Sequence, residues 1–281
     1  MRSVINLCAL ICAITITSCK ENNFAYKYSD YGLNTPVKSI KVTTYEAKSK
    51  FGEIEKGMLE YYGHYSTIFN DDGLVVSITQ YNDEGDTIEI TKHKYNDDNN
   101  VINTTCYNED GEINYETKWT YDGDQVKSVT TTNYWDGTST TYEDQYINDG
   151  DTVVERRKFK DGTLLSVDKF STFDEKGAKW VSYDADGNKL SNGSFTLTKT
   201  GAISKYTYDD IQYQVKRDKN NLPIQTKNAI VGLNGVTHYY KEGANLFFEY
   251  EYDDKGNWIK QIVFEDDMRE PLTISERKIV Y

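Results

Sequence analysis

Cysteine is scarce in this chain, and its placement excludes more than its number does. Four Cys stand among 281 residues, at positions 8, 12, 19 and 106, so three fall within the first nineteen. A disulfide framework or a Cys-based zinc site needs several Cys in the body of the chain, and neither is available. Cys106, near the end of an apolar run, reads as a small packing residue. Histidine is equally sparse. His64, His93 and His238 lie far apart with no His-x-x-x-His pair, and each reads as a structural or surface residue. Positive charge is short too: 32 Lys+Arg face 45 Asp+Glu, a net of −13. That leaves no basic footprint for nucleic acid or for an anionic membrane surface. No Gly-x-Ser-x-Gly elbow, phosphate loop or Gly-x-Gly-x-x-Gly follows a strand. The chain therefore reads as a non-enzyme, with no cofactor and no metal expected.

What the sequence has instead is a repeated phrase. It reads Phe69-Asn-Asp-Asp-Gly73, Tyr81-Asn-Asp-Glu-Gly85, Tyr95-Asn-Asp-Asp-Asn99 and Tyr107-Asn-Glu-Asp-Gly111, and Tyr121-Asp-Gly begins a fifth copy. The aromatics are 12, 14, 12 and 14 residues apart, so a pair of copies makes a 26-residue unit. Each aromatic closes a run rich in β-branched residues, such as Leu74 to Tyr81, and Asn, Asp and Gly follow as turn formers. A turn cluster interrupts every run before three helical turns are complete, which excludes an α-helical reading. The expectation is all-β: an antiparallel meander of repeated hairpins. The 12/14 alternation suggests turns that differ by about two residues at the two ends of the sheet. About sixteen to eighteen strands are expected, too many for an open twisted sheet, so it should curl strongly into a trough or partly closed barrel.

The first 18 residues read as a leader. Arg2 supplies a positive start, and Val4 to Ile16 is apolar but too short to span a bilayer. Ile16-Thr-Ser-Cys19 resembles the lipobox of bacterial lipoproteins. That resemblance implies cleavage before Cys19, a diacylglycerol thioether on Cys19, and a chain held to a membrane through lipid in the bacterial envelope, at the outer membrane. Loss of Arg2 would leave 31 Lys+Arg against 45 Asp+Glu, a net of −14. Residues 19–35, without periodicity, read as an anchored linker, and residues 36–281 as one repeat domain. Within it, Val37 to Tyr45 is a strand, Ala47 to Lys56 a charged loop, and Met58 to Phe69 a second strand. From Leu190 to Lys241 the rhythm loosens, with Pro223 suggesting an edge.

At the C-terminal end the phrase becomes Tyr250-Glu-Tyr-Asp-Asp-Lys-Gly-Asn257, with Phe173-Asp-Glu-Lys-Gly177 and Tyr183-Asp-Ala-Asp-Gly-Asn188 close to it. These resemble the YD (RHS-type) repeat, aromatic-x-aromatic-Asp-x-x-Gly-Asn, of β-rich surface proteins. The copies at Tyr81 and Tyr107 depart by Asn for Asp. Val37 to Ala47 with Lys50-Phe-Gly-Glu-Ile54 is similar to small lipoproteins of the Bacteroidota type that combine such repeats. The resemblance spans about residues 36–281 and implies hairpins; it is a weak guide to activity.

Two chemistries deserve weighing. Asp184-Ala-Asp-Gly-Asn188 places oxygens at alternate positions, as calcium loops do, but Gly187, Lys189 and Phe195 break the EF-hand pattern, and hairpin turns use the same residues. Paired carboxylates could serve a glycan-active hydrolase, the alternative reading, yet they are too common here for sequence to single out a pair. Aromatics are the better lead. Trp119, Trp135, Trp180 and Trp258 lie on or beside repeat strands, and an exposed row of such rings would suit stacking on a sugar or anchoring a protein partner. The plainer alternative is that they pack the sheet. Trp135, in the turn Tyr134-Trp-Asp-Gly137, has least to bury against. The reading is a lipid-anchored envelope protein acting as a binding or structural module.

Overall fold

The computed structural model describes residues 25–60, 63–135, 137–150, 152–174, 176–197, 203–209, 211–219, 222–227, 232–233, 236–237, 245–265 and 270–281. The expected leader, Cys19 and His238 lie outside the described residues. The fold is an all-β antiparallel meander of hairpins, with one short 3₁₀ turn at Tyr28–Tyr31 and 21 strands among the described residues. Nineteen of these belong to one sheet, and β17 (Gly232–Leu233) pairs only with β18 (Val236–Thr237). The chain divides into two compact units. Unit 1 is built mainly from Lys94–Thr105 and Asn114–Asp210, and unit 2 from Tyr26–His93, Cys106–Ile113 and Ile211–Tyr281.

The repeated phrase is a closed five-residue turn, and its chemistry explains each position. In the first copy the Asn70 Oδ1 accepts the N–H groups of Asp72 (3.1 Å) and Leu74 (2.8 Å). The backbone closes the same loop, with Asn70 N–H donating to Leu74 O and Gly73 N–H to Asn70 O, both at 2.9 Å. The pattern recurs at Asn82, Asn96 and Asn108, and with Asp at 184 and 253. Only an acceptor oxygen is used, so Asn and Asp serve equally. The fourth position is left-handed, φ 75° at Gly73 and 63° at Asn99, which is why Gly or Asn stands there.

These turns are all the same length, so the 12/14 alternation does not come from the turns, contrary to the sequence expectation. It comes from the strands: β4 (Val75–Tyr81) has 7 residues and β5 (Thr87–Tyr95) has 9. Equal turns with unequal strands advance each hairpin by two residues along the strand direction, the stagger that tilted strands require. Two residues is one pleat, so every side chain stays on its own face.

In unit 2, β1 (Ser39–Lys50) pairs with β3 (His64–Phe69) over its first half and with β21 (Glu270–Val280) over most of its length. The last strand thus pairs with the first within unit 2. The core here gathers Tyr31, Leu33, Val37, Ile40, Val42, Tyr65, Phe69, Val75, Leu222 and Trp258. Tyr31 and Leu33 come from the stretch expected as a linker. That stretch is folded from Tyr26 onward because its aromatics bury against this core, and Lys27 bridges to Leu74.

Ala47 to Lys56 is not a loop. β1 runs through Lys50, and a two-residue turn at Phe51 (φ 53°) and Gly52 (φ 86°) leads into β2 (Glu53–Leu59). Alternating charges read as a loop, but cross-strand Lys and Glu supply this hairpin, as in Lys50 with Glu55 at 3.9 Å. Met58 to Phe69 is likewise two strands rather than one. His64 fixes the break: its Nδ1 accepts the Thr44 N–H at 3.2 Å and its Nε2–H donates to Glu60 O at 2.6 Å.

Unit 1 has a separate core of Val153, Ala178, Trp180, Phe195 and Leu197, with Tyr146, Phe170 and Tyr206 against it. Its strands include β7 (Ile113–Asp122), β8 (Gln125–Trp135), β9 (Thr138–Asp149), β10 (Thr152–Lys160), β11 (Thr163–Asp174), β12 (Gly177–Asp184) and β13 (Lys189–Leu197). Where the five-residue phrase lapses, two-residue turns take over, as at Asp161 (φ 48°) and Gly162 (φ 78°) between β10 and β11.

Candidate functional site

Strand register places one continuous set of side chains on a single face of unit 1. Trp135 pairs with Thr138, Asn133 with Thr140 and Tyr115, Thr131 with Tyr142, and Val129 with Asp144. On β10, Lys160 stands beside Tyr142, Lys158 beside Asp144, and Arg156 beside Tyr146. Arg156 in turn faces Asp168 on β11, which faces Ser182 on β12. Residues paired across an antiparallel sheet share a face, and so do residues two apart on one strand. Trp135, Tyr142, Asp144, Arg156 and Asp168 therefore line one surface. Trp135 to Val129 spans six residues, roughly 20 Å of strand.

One end of this surface is buried and charged. Arg156 and Asp168 are each 1% exposed. Arg156 Nε donates to Asp168 Oδ2 at 2.8 Å, and its Nη2 and the Ser182 hydroxyl also donate to that carboxylate. Lys158 Nζ lies 3.6 Å from Asp168, and Asp144 lies 4.0 Å from Arg156 Nη1. Two cations and two carboxylates thus balance. Burial pushes Asp168 up, but Arg156, Lys158 and the Ser182 hydroxyl outweigh it and hold the carboxyl below its usual range. For Asp144 burial wins over Arg156 and Lys158, and its pKa is raised.

The opposite end is aromatic and open. Trp135 is 73% exposed, Tyr142 is 41% exposed, and Lys160 Nζ sits 5.9 Å from the Tyr142 ring centre. Between them stand Asn133, Thr138 and Thr140, whose amide and hydroxyl groups carry no charge. Trp135 is the last residue of β8 and pairs with Thr138, the first residue of β9.

The row of four exposed tryptophans is not formed. Trp119, Trp180 and Trp258 are buried, at 7%, 3% and 2% exposure. Trp119 shares the face of Trp135 but lies opposite Val129 in mid-strand. Trp180 packs over Gly193, where an added Cβ would come within 2.1 Å of the indole, and among Phe170, Phe195 and Tyr206 at 6.1 to 6.4 Å. Trp258 belongs to the unit 2 core, stacked on Arg277. The plainer alternative holds for these three, and Trp135 stands apart.

The other candidates resolve into structural roles. Asp184 Oδ1 accepts the N–H groups of Asp186 and Asn188, and Oδ2 the Asn188 side-chain amide at 3.0 Å, so its oxygens are engaged in the turn. Among the described residues no group of three or more His, Cys, Asp or Glu is arranged to hold a metal ion. His93 is buried beside Tyr26, their ring centres 4.5 Å apart, and Cys106 is buried. Sequence reasoning missed the Arg156–Asp168 network. Its signal in the sequence was Arg156 and Lys158 two residues apart on one strand run, which puts two cations on one face.

No family model matches the chain, and no curated protein matches it. Among solved structures it is similar to a porin-like protein from Bacteroides uniformis ATCC 8492, at 13% identity and TM-score 0.40, over 87% of this chain and 98% of that one. A porin-like protein from Bacteroides vulgatus ATCC 8482 gives 15% identity and TM-score 0.36 over the same shares. The Tc holotoxin pore of Photorhabdus luminescens gives 10% identity and TM-score 0.28, over 73% of this chain and 13% of that one. At such scores the reading of the site rests on this chain's own residues.

Proposed function

We propose that the chain is a non-catalytic binding module of the bacterial envelope, anchored by lipid on Cys19, that receives a glycan at the open end of the unit 1 face. The carrying observation is Trp135, 73% exposed on a strand end. An indole held in that position supplies a flat apolar surface for a sugar ring. Asn133, Thr138, Thr140 and the Tyr142 hydroxyl, set around it by register, supply neutral donors and acceptors for sugar hydroxyls. The hydrolase alternative is less favoured. A general acid and base must reach substrate, whereas Asp168 is enclosed and both Asp144 and Asp168 are neutralised by Arg156 and Lys158. Support for the anchor comes from the sequence Ile16-Thr-Ser-Cys19 alone.

The test is intrinsic fluorescence during titration with a panel of envelope and host glycans. A saturable shift that disappears in Trp135→Ala, with unfolding unchanged, supports the reading. A flat response to every glycan, with a protein captured through Trp135 instead, overturns the glycan assignment. Cys19→Ser should move the protein from the membrane to the soluble fraction if the anchor is as proposed.

A further inference from the structure

On the reading that the open end of unit 1 receives a glycan, the charge carried by the same face narrows which glycan it is. Arg156, Lys158 and Lys160 stand at two-residue steps on β10, so all three share the face that carries Trp135 and Tyr142. Their settings differ along the strand. The Arg156 side chain is 1% exposed and that of Lys158 24%, and both lie against the Asp168 carboxylate. Lys160 is the last residue of β10 and is exposed. The column thus begins as a buried, neutralised network and ends in an ammonium that solvent can reach.

Register fixes what surrounds that ammonium. Lys160 pairs with Tyr142 on β9 and with Thr163 on β11, and Tyr142 pairs with Thr131 on β8. Lys160 Nζ lies 5.9 Å from the centre of the Tyr142 ring, which is 41% exposed. A ring face at that distance steadies the ammonium and leaves its N–H groups able to meet an anion. The carboxylate of Asp144 enters one row deeper, opposite Lys158. Asp161, next in the chain, turns its Oδ1 to the Thr141 N–H at 2.8 Å. The row nearest the open end therefore presents a cation, a phenol and two threonines.

Spacing sets the size of the ligand. Thr138 pairs with Trp135, and Tyr142 lies four residues further along β9, roughly 13 Å, with Lys160 another strand across. More than one sugar ring is needed to cover that distance.

We propose that the ligand at Trp135 is an anionic oligosaccharide: one ring stacks on the indole, and an acidic group further along the chain, a carboxylate or a sulfate ester, pairs with Lys160. A lysine ammonium is a point charge and accepts either group. The net −13 of the whole chain does not oppose this contact strongly, because charges more than about 8 Å away are largely screened at physiological ionic strength.

The experiment titrates the full chain with two matched pairs of probes, read by calorimetry and tryptophan fluorescence. One pair is a short oligogalacturonate and the same oligomer with its carboxyls reduced to alcohols. The other is a carrageenan oligosaccharide with its sulfates and after their removal. The acidic member of at least one pair should bind about fivefold tighter than its neutral partner, the scale of an exposed ion pair. A preference confined to one pair identifies the acidic group. Lys160→Gln should bring the acidic member down to the neutral one, Lys160→Arg should restore the difference, and an unchanged unfolding temperature in both would show that charge and not folding is responsible. Acidic and neutral members that bind alike, or a preference that survives Lys160→Gln, would overturn this proposal and leave the glycan reading in place. Silence toward all four probes and toward the neutral glycan panel, in both readouts, would overturn the two together.

Discussion

Replacing Asp168 with Asn tests whether the unit 1 face is organised by charge. The substitution keeps size and shape but removes the negative charge nearest Arg156. The guanidinium would keep only Asp144, at 4.0 Å from Nη1, and would lose its two hydrogen bonds to a full carboxylate. Both members of the broken pair are 1% exposed, so solvent screening offers little relief. Removing one partner of such a pair costs about 3–5 kcal/mol, and the remaining Asp144 places this case near the lower figure, about 3 kcal/mol. For a chain of this size that corresponds to a drop of roughly 10 °C in unfolding temperature. Urea denaturation followed by tryptophan fluorescence reads it, since Trp180 lies in the same unit. The double variant Arg156→Met/Asp168→Asn provides the control. It leaves Lys158 facing Asp144, a balanced pair, and should recover about 2 kcal/mol or more of the loss. A cost below about 1 kcal/mol for Asp168→Asn would mean that water reaches Arg156, refuting the enclosed network. A double variant no better than the single would mean that shape, not charge, sets the cost.

Further expectations follow from individual contacts. Asn82→Ala removes an oxygen that accepts two backbone N–H groups and should cost about 1 kcal/mol, while Asn82→Asp should be nearly neutral; amide exchange at Asp86 separates them. Asn99→Ala, at φ 63°, should cost about 1 kcal/mol and Asn99→Gly much less, read by urea midpoint. Gly193→Ala drives a methyl into Trp180 and should cost about 1–3 kcal/mol with altered near-ultraviolet dichroism. Burial lowers the His93 pKa from 6.5 to about 4. The unfolded chain then binds a proton that the folded one refuses, so stability is full above pH 6.5 and falls as pH drops to 4, by about 3 kcal/mol. A His93→Gln variant should lose that slope between pH 6.5 and 4.

The hairpin architecture was legible because turns are local. Asn, Asp and Gly at fixed offsets specify a closed five-residue loop whatever surrounds it, so the phrase could be read without knowing the partner strands. Strand length was less legible. The 12/14 alternation was visible, but its assignment to turns was mistaken, since spacing alone does not say which of two adjacent segments absorbs the extra pleat. Burial was the least legible. Trp119, Trp180 and Trp258 look alike in sequence to Trp135, and what separates them is non-local: Gly193 opening a slot for Trp180, Arg277 arriving over Trp258 from the last strand, Val129 standing opposite Trp119. Lys48, Lys50, Glu53 and Glu55 look like a solvated loop in sequence because what makes them strands is cross-strand pairing, Lys48 with Glu55 and Lys50 with Glu53.

The division of labour along the chain follows from the same locality. Residues shared by the copies (the aromatic, the Asx oxygen, the left-handed fourth position) close turns, and the Asx oxygen is already hydrogen-bonded within its own loop. Asp184 illustrates this: its carboxylate oxygens are occupied within its own loop, and those hydrogen bonds hold its pKa below the usual carboxylate range. Chemistry specific to this protein must therefore lie where the phrase lapses. Between Gln125 and Asp174 the connections shorten, the strands lengthen to between 9 and 12 residues, and Arg156, Lys158, Asp144 and Asp168 enter the covered face while Trp135 leaves it. Substitutions should divide accordingly. Asn82→Ala should lower stability and leave glycan response per folded molecule unchanged, whereas Trp135→Ala should leave the urea midpoint within about 0.5 kcal/mol and abolish the response. If Asn82→Ala removed the response in protein that is still folded, the turns themselves would be the recognition surface, and the separation of scaffold from site argued from Asp184 would be wrong.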